Sequence, residues 1–177
     1  MKTWIEKADF TLRTLTFLAI VAGGAWAIYQ YKLTGSDDWI NNIALETKVM
    51  PYHDNLRLLV VHVKSKNPRN YKFALDSKLG DSFELRCRKV ATDIKVNTVV
   101  DEDSGDLINK VDLMQETDGE YDFLPGAKMD DMRIIVLPAN ITVALTAEMQ
   151  IHNGDIDEHG KPDTDFISAS TVVRIEP

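Results

Sequence analysis

The segment from Leu12 to Tyr31, LRTLTFLAIVAGGAWAIYQY, constrains the fold of this chain more than any other stretch. Its core, residues 14–28, carries no charged side chain. As a helix these twenty residues reach about 30 Å, the hydrocarbon thickness of a bilayer. We therefore predict one transmembrane helix and expect it to be an uncleaved signal anchor. The alternatives are a buried helix of a soluble domain and a cleaved signal peptide, since Ala25-Trp26-Ala27 has the small-x-small shape of a cleavage site.

The flanks of this segment hold residue types that anchor helices at a membrane surface. Trp and Tyr rings prefer the headgroup level, and Lys and Arg extend their charged ends toward it. The predicted membrane-interface anchors are Trp4, Arg13, Trp26, Tyr29, Tyr31 and Lys32. Within the span, Ala19, Gly23 and Ala27 recur at every fourth position, so small side chains share one helix face where a second helix packs closely. We predict that this face binds a membrane-protein partner or a second copy of the chain.

Charge divides the chain into two parts. The first 32 residues carry four basic and two acidic side chains, whereas the remaining 145 carry 16 basic and 26 acidic ones, a net charge of −10. Such an acidic domain repels phosphate backbones, which excludes nucleic acid as a partner. Basic residues predominate before the span, so we expect residues 1–11 to be a short cytoplasmic or interfacial segment and the domain to be extracytoplasmic, in a bacterial periplasm.

Residues 32–38, KLTGSDD, are rich in turn and cap formers and are predicted to be a short linker that keeps the domain near the bilayer. Residues 39–177 have the length of one domain. Cys87 is the single cysteine and cannot form an intrachain disulfide. The domain must therefore be stabilised by its hydrophobic core.

Beyond the linker, apolar residues alternate with polar ones, the pattern of half-buried strands. The predicted strands cover residues 43–49, 56–66, 71–75, 83–88, 94–100, 107–116, 132–137, 141–151 and 167–175. The segment LRLLVVHVKSK, residues 56–66, is almost continuously apolar in its first half and predicts a central strand covered on both sides. Leu124-Pro125-Gly126 predicts a type II turn. The fold class we predict is mainly β, an antiparallel sandwich of about seven to nine strands with immunoglobulin-like architecture but without its paired cysteines, behind one N-terminal transmembrane helix.

Two acidic loops are candidate metal sites. Residues 101–112, DEDSGDLINKVD, place acidic side chains near positions 1, 3 and 12 of a calcium loop, although Gly105 and Asp106 are exchanged relative to that pattern. Residues 152–165 combine two histidines with five acidic residues, a donor set suited to a divalent cation. The candidate ligands are Asp101, Asp103, Asp106, Asp112, His152, Asp155, Asp157 and His159. The alternative is that both loops are solvated hairpin turns, and we expect no resident cofactor.

Residues that carry out catalysis are not apparent from the sequence. His62 and Cys87 fall on predicted strands, with Cys87 on an apolar face, and no nucleophile elbow, zinc motif or phosphate-binding loop occurs in the chain. Basic residues on and beside the predicted strands form a candidate positive edge for an acidic partner or headgroup, and the alternative is that these charges prevent sheet-to-sheet aggregation. These basic residues are Lys64, Lys66, Arg69, Lys72, Arg86, Arg88 and Lys89.

The sequence therefore predicts a single-pass membrane protein that is not an enzyme. Its function is expected to be that of an accessory or interaction subunit of a membrane complex, bound through the transmembrane helix. The alternative is a membrane-tethered sensor or ligand-binding module that takes a cation, Ca²⁺ or another divalent ion, in its two acidic loops.

Overall fold

The computed structural model describes residues 2–33, 41–69, 71–92, 95–101, 103–156, 160 and 162–177, without the side chains of residues 2–11, 30–33, 153–156 and 162. Internal contacts divide the chain into two units, Met1–Trp39 and Ile40–Pro177. The first unit contains a helix and the second contains strands, and we describe each unit by itself.

The first unit contains α1, Lys2–Leu33. Its stretch Leu12–Tyr29 is long and apolar enough to cross a membrane, and no part of that stretch is buried. Within this stretch, Thr16 donates a local hydrogen bond to the Leu12 carbonyl at 2.9 Å. A membrane anchor and a signal sequence share these properties, so the choice between them remains a prediction.

The second unit is built from strands that all pair antiparallel, as predicted. They are β1 (Asn42–Pro51), β2 (Leu56–Lys66), β3 (Phe73–Asp76), β4 (Ser82–Lys89), β5 (Asp106–Asp112), β6 (Glu120–Phe123), β7 (Lys128–Pro138), β8 (Ile141–Ile156) and β9 (Pro162–Ile175). A three-stranded sheet has the order β1-β2-β7, and a four-stranded sheet has the order β5-β4-β8-β9. A short ladder joins β3 to β6. Nine strands within the described ranges agree with the predicted number.

Buried and exposed side chains alternate along the strands, and the buried side chains of both sheets form one core. The three-stranded sheet contributes Leu59, Val61, Val63, Ile135 and Leu137, and the four-stranded sheet contributes Phe83, Leu85, Cys87, Val143, Leu145, Ala147, Met149 and Ile175, all buried. Tyr121 of β6 extends this core, with its ring edge-on to Phe83 at 5.8 Å. Burial of these side chains supplies the main stabilisation of the fold.

The strand order is that of an immunoglobulin-like sandwich. β1, β2 and β7 take the places of strands A, B and E, while β4, β8 and β9 take those of C, F and G. In that architecture a strand D pairs with the free side of strand E. Within the described residues no strand takes this place, so β7 ends the three-stranded sheet.

Several local predictions are confirmed and others are wrong. The turn at residues 124–127 is confirmed, because the Ala127 amide donates to the Leu124 carbonyl at 2.9 Å and Gly126 has φ +71°. The strand predicted at residues 94–100 is wrong over residues 95–100. There, Asn97 adopts φ +66° in a turn closed by a Thr98 to Lys95 hydrogen bond, and a left-handed residue ends an extended run.

The loop predicted at residues 152–165 is also wrong in its extent. β8 continues to Ile156 and β9 begins at Pro162, so most of this polar segment consists of the arms of a hairpin. β4 pairs with β8 only as far as Gln150, whereas β9 pairs with it to Ile156. The end of this hairpin is therefore a two-stranded arm. β6 was missed altogether, since its four residues are too few to show a period.

Candidate interaction surface

The outer face of the three-stranded sheet changes in character from one end to the other. Register pairs Leu58 of β2 with Met50 of β1 and Val136 of β7, and pairs Val60 with Lys48 and Ile134. Residues directly opposite on an antiparallel pair share one face. These five apolar side chains, Met50, Leu58, Val60, Ile134 and Val136, are contiguous, and we call them the apolar end.

Within the described part of the chain, the apolar end is partly exposed. Val60 at its centre is only 8% exposed because its neighbours flank it, whereas Ile134 and Val136 on β7 are 54% and 50% exposed. Met132 continues the same stripe of β7 and is 51% exposed. Single exposed apolar side chains are ordinary, but a contiguous set marks a binding surface.

The opposite end of the same face is basic. Lys66 lies directly opposite Lys128, and Lys64 is next to them on β2. These three lysines, the basic end, line a shallow cleft of about 520 Å³ together with Asn42 and Ala44. No ion pair of Lys66 or Lys128 is found within the described part of the chain. Like charges placed directly opposite repel each other, so this end is suited to an incoming carboxylate.

A band of paired side chains separates the two ends. Lys64 Nζ lies 2.6 Å from Glu46 Oε1. His62 Nδ1 lies 2.9 Å from Asp130 Oδ1. Both acidic groups of this band are therefore engaged by residues of the same face. Four lysines (Lys48, Lys64, Lys66 and Lys128) and two carboxylates (Glu46 and Asp130) of β1, β2 and β7 share this face, which leaves a net charge of +2.

The outer face of the four-stranded sheet has a different composition. Arg86 donates to Glu148 at 2.8 Å, and Lys110 Nζ lies 2.7 Å from Glu84. Asp103 approaches Arg86 and Arg88 at 3.6 and 3.7 Å. Phe166 and Val172 are exposed, but Ser168 and Ser170 separate them along β9. Arg86, Arg88 and Lys110 each lie close to an acidic side chain of this face, although Arg86 Nε and Arg88 Nε have no hydrogen-bond partner among the described residues.

The predicted positive edge is thus divided between two surfaces. Lys64 and Lys66 contribute to the basic end, whereas Arg86 and Arg88 belong to the four-stranded sheet and face Asp103. Lys72 pairs with Asp122 at 2.7 Å, and Arg69 lies over the Tyr71 ring at 5.1 Å. These positions therefore do not form one continuous edge.

The helix presents its predicted groove to the surroundings. Ala19, Gly23 and Ala27 are all exposed on α1. A Cβ atom added at Gly23 or at Gly24 would meet no atom within 4 Å. A larger side chain therefore fits at either position unless a second helix occupies the space. The use of the groove by a partner remains a prediction.

The predicted membrane-interface anchors all fall within α1. Trp26 and Tyr29 are exposed and stack, with ring centroids 5.8 Å apart. Arg13 is exposed, one residue after the start of the apolar stretch. The side chains of Trp4, Tyr31 and Lys32 lie outside the described residues.

The structure brings together only part of the first candidate metal loop. The Asp103 amide donates to Asp101 Oδ1 at 2.9 Å, so these two residues are adjacent. Asp106 begins β5 and Asp112 ends it, so five residues of extended chain lie between the two carboxylates. Asp112 Oδ1 accepts a hydrogen bond from the Met114 amide at 2.8 Å. Calcium binding at this loop remains a prediction.

The second candidate metal loop is described only in part. His152 lies at the edge of the sandwich, where its amide donates to Asp81 Oδ1 at 2.8 Å. Asp157 and His159 lie outside the described residues, as does the side chain of Asp155. In the ranges that are described, no group of three or more His, Cys, Asp or Glu side chains is placed to hold a metal ion. The cation prediction therefore stays open.

Cys87 and His62 occupy the positions expected from the sequence. Cys87 is fully buried on the inner face of β4, and burial raises the pKa of its thiol to about 11. A protonated, inaccessible thiol is a poor nucleophile. His62 lies on the outer face of β2, bound to Asp130.

Comparison with protein-family models, with curated proteins and with solved structures finds no match to this chain. The interpretation of its surfaces therefore rests on their geometry and chemistry.

Sequence reasoning missed the apolar end because it treated apolar runs as core. The signal was present in two strands, since LRLLVV in β2 and IIVL in β7 are apolar at both odd and even positions. A strand buried on one side needs apolar residues only at alternate positions. The excess apolar positions on neighbouring strands indicate either a covering layer of the same chain or a partner.

Proposed function

We propose that this protein is a single-pass, membrane-anchored β-sandwich that acts as a non-catalytic accessory or interaction subunit of a membrane complex. In this proposal α1 is an uncleaved anchor with its amino end in the cytoplasm, and the sandwich is extracytoplasmic, in a periplasm. The observation that carries the proposal is the contiguous apolar end on the outer face of β1, β2 and β7. A hydrophobic surface that faces water costs solubility and is retained where a partner covers it.

The chemistry of this face favours a protein partner over the lipid surface. No Trp or Tyr occurs on the outer faces of β1, β2 and β7, although these are the side chains that bilayer interfaces prefer. The apolar end leads into the basic end along the same strands. A complementary partner segment would place apolar side chains over Leu58 and Val136 and carboxylates toward Lys66 and Lys128.

The helix supplies a second contact in this proposal. Ala19, Gly23 and Ala27 present small side chains on one face, and small residues permit close approach of helices in lipid. Contacts by both units to the same complex would act together, because the first contact raises the effective concentration for the second.

Photocrosslinking tests the sandwich contact. A photoreactive amino acid replaces Leu58 at the apolar end in the full membrane-bound chain, and the matched control carries it at Ser170 on the outer face of the four-stranded sheet. We expect a discrete crosslinked product from position 58, with its partner identified by mass spectrometry, and at least tenfold less from position 170. Equal or absent crosslinking from both positions would contradict the proposal.

Substitution in the helix tests the second contact. Gly23→Leu should reduce copurification with the crosslinked partner in mild detergent, whereas Gly24→Leu, which lies about 100° around the helix, should have little effect. Both substitutions have free space in the isolated helix, so the difference between them reports on a neighbouring helix. Equal behaviour of the two variants would exclude the helix groove as a contact.

A further inference from the structure

The free edge of β7 is the longest unpaired strand edge of the three-stranded sheet. β7 pairs with β2 along all eleven residues from Lys128 to Pro138, without a bulge. On its other side no strand pairs with it within the described residues, and this is the place of strand D in an immunoglobulin-like sandwich. Its outward backbone N–H and C=O groups are therefore available as a template for another strand.

The same strand carries the most exposed part of the apolar stripe. Met132, Ile134 and Val136 follow one another at every second position, and each is about half exposed. Val60 on the neighbouring β2 is almost covered, so exposure increases toward the free edge. An added strand would satisfy the backbone groups and cover these side chains at the same time.

We propose that the occupant of this edge is a second copy of the chain, with β7 paired antiparallel to β7 of the partner about a two-fold axis at Ile134. This inference goes beyond the proposed function, because it names a self-association that the accessory role does not require. In this register Ile134 lies opposite itself, and Met132 lies opposite Val136 of the partner subunit. The apolar stripe is thus its own complement over a ladder from Asp130 to Pro138.

The charges of β7 distinguish this register from those with the axis at Asp131, Met132 or Arg133. A two-fold axis at Asp131 or at Arg133 would place like charges directly opposite each other, which is unfavourable. An axis at Met132 would place Ile134 opposite Asp130 of the partner subunit and Val136 opposite Lys128 of the partner subunit, so that apolar side chains cover charged ones. The axis at Ile134 places no like charges opposite each other and sets Met132 against Val136 of the partner subunit on the outer face, whereas on the inner face Asp131 lies opposite Leu137 of the partner subunit and Arg133 opposite Ile135 of the partner subunit.

The inward charges of β7 do not oppose this pairing, because each has a partner in its own copy. Asp131 accepts a hydrogen bond from the Tyr121 hydroxyl, and burial together with this bond raises the pKa of Tyr121, which keeps the donor protonated. Arg133 lies 3.5 Å from Glu116. Neither charge needs a counter-ion from the second copy.

Pairing about this axis joins two three-stranded sheets into one sheet of six strands. The axis is perpendicular to the sheet, so the apolar ends of both copies lie on the same side. Anchoring both copies in one membrane would raise their effective concentration and favour a contact of modest intrinsic affinity. The isologous interface closes after two copies and leaves no free β7 edge.

Cysteine crosslinking of the full chain in its membrane tests the register. Cα atoms directly opposite on antiparallel strands lie about 4.5–5.5 Å apart, within the range of a disulfide. We expect Ile134→Cys to form a disulfide-linked dimer on mild oxidation, at least tenfold more than Val172→Cys. Val172 is the matched control because it is also exposed, at 66%, on the outer face of an edge strand. The native Cys87 is buried and provides a low background.

A second set of variants fixes the pairing. The double variant Met132→Cys/Val136→Cys should crosslink efficiently, whereas Met132→Cys alone should crosslink much less than Ile134→Cys. Stronger crosslinking by Met132→Cys alone, or equal yields from positions 134 and 172, would overturn the proposal. Circular dichroism of each reduced variant checks that the sandwich is folded.

The two proposals fail separately. Dimers through position 134 without a crosslinked partner at position 58 would leave the self-association and remove the accessory role. A crosslinked partner at position 58, with equal yields of disulfide-linked dimer at positions 134 and 172, would leave the accessory role and remove the self-association.

Discussion

The two outer faces of the sandwich are built on the same alternation and yet carry different chemistry. On the four-stranded sheet, the charged side chains Arg86 and Glu148 are paired and only 18% and 23% exposed. On the three-stranded sheet, Ile134 and Val136 remain half exposed, and Lys66 faces Lys128. The first face pairs Arg86, Arg88 and Lys110 with its own acidic side chains. The second leaves apolar side chains and the pair of Lys66 and Lys128 exposed.

This difference shows why burial alone is a poor guide to which face of a sheet is suited to bind a partner. Both faces contain apolar side chains, but Phe166 and Val172 are isolated by serines, whereas the apolar end is contiguous over three strands. Contiguity determines whether a partner can remove the whole patch from water at once.

A carboxylate placed on one outer face or on the other should produce the largest difference, measured as the amount of copurified partner. Leu58→Asp puts a carboxylate at the apolar end and should lower the amount of copurified partner at least tenfold, which corresponds to about 1.4 kcal/mol. Ser170→Asp on the four-stranded sheet should leave copurification unchanged. The measurement is quantitative immunoblotting of the partner found at position 58. Equal loss in both variants would mean that the two faces are not functionally distinct.

Breaking the paired charges should destabilise the domain itself. Glu148→Ala leaves the half-buried Arg86 without its 2.8 Å partner and should lower the free energy of unfolding by about 1–3 kcal/mol. Glu120→Ala removes the exposed pair with Lys78 and should cost much less, because solvent screens exposed charges. Urea unfolding of the full chain in mild detergent, followed by circular dichroism, measures both. The double change Arg86→Met/Glu148→Met should recover most of the loss, and failure to do so would indicate a packing defect.

The pH dependence of the domain's stability tests the burial of the Cys87 thiol. Cys87 lies between Arg86 and Arg88 on β4, with its side chain in the core. Its folded pKa of about 11 lies above its ordinary value of 9.0, so its contribution to stability is complete below pH 9 and is lost as the pH rises toward 11. The melting temperature of the native chain should therefore fall more between pH 9 and 11 than that of Cys87→Ala. Parallel curves for the two proteins would show that the thiol is open to solvent.

Relieving the lysine repulsion should have the smallest effect. Lys128→Glu converts the cross-strand pair with Lys66 from like to opposite charges and should stabilise the domain by about 0.2–1 kcal/mol. Lys95→Glu, at an exposed position outside the strands, should leave the stability unchanged. The difference should shrink at high salt because exposed charges are screened. A loss of stability in Lys128→Glu would show that Lys128 has a favourable interaction at the basic end.

The sequence predicted those parts of the fold that depend on local pattern. The uncharged run before Tyr29 specified α1, and Pro125-Gly126 specified the turn before β7. Residues 95–100 show where this reasoning fails, since Val96 and Val100 fall on the same side of the alternation but are 90% and 43% exposed. Alternation stabilises a strand only when a neighbour accepts its apolar face, and the left-handed Asn97 prevents that pairing.

The candidate surface was less predictable because it depends on what each sheet face meets. β2 was predicted to be central and covered on both sides, and it is central, between β1 and β7. Its inner face is buried by the core, whereas its outer face has no covering layer within the described residues. An apolar run cannot distinguish a face covered by the same chain from one covered by another. Only the tertiary arrangement of neighbouring strands shows the difference.

The two-stranded arm formed by β8 and β9 has a consequence for amide hydrogen exchange. Amides of β8 from Val143 to Met149 lie between β4 and β9 and should exchange only when the whole sandwich unfolds. Amides beyond Ile151 are supported by one neighbouring strand and should exchange through local opening of the arm. One continuous strand would then report two opening free energies. Amide exchange at the residues nearest the hairpin end would report local opening of the arm while the amides of the core stay protected.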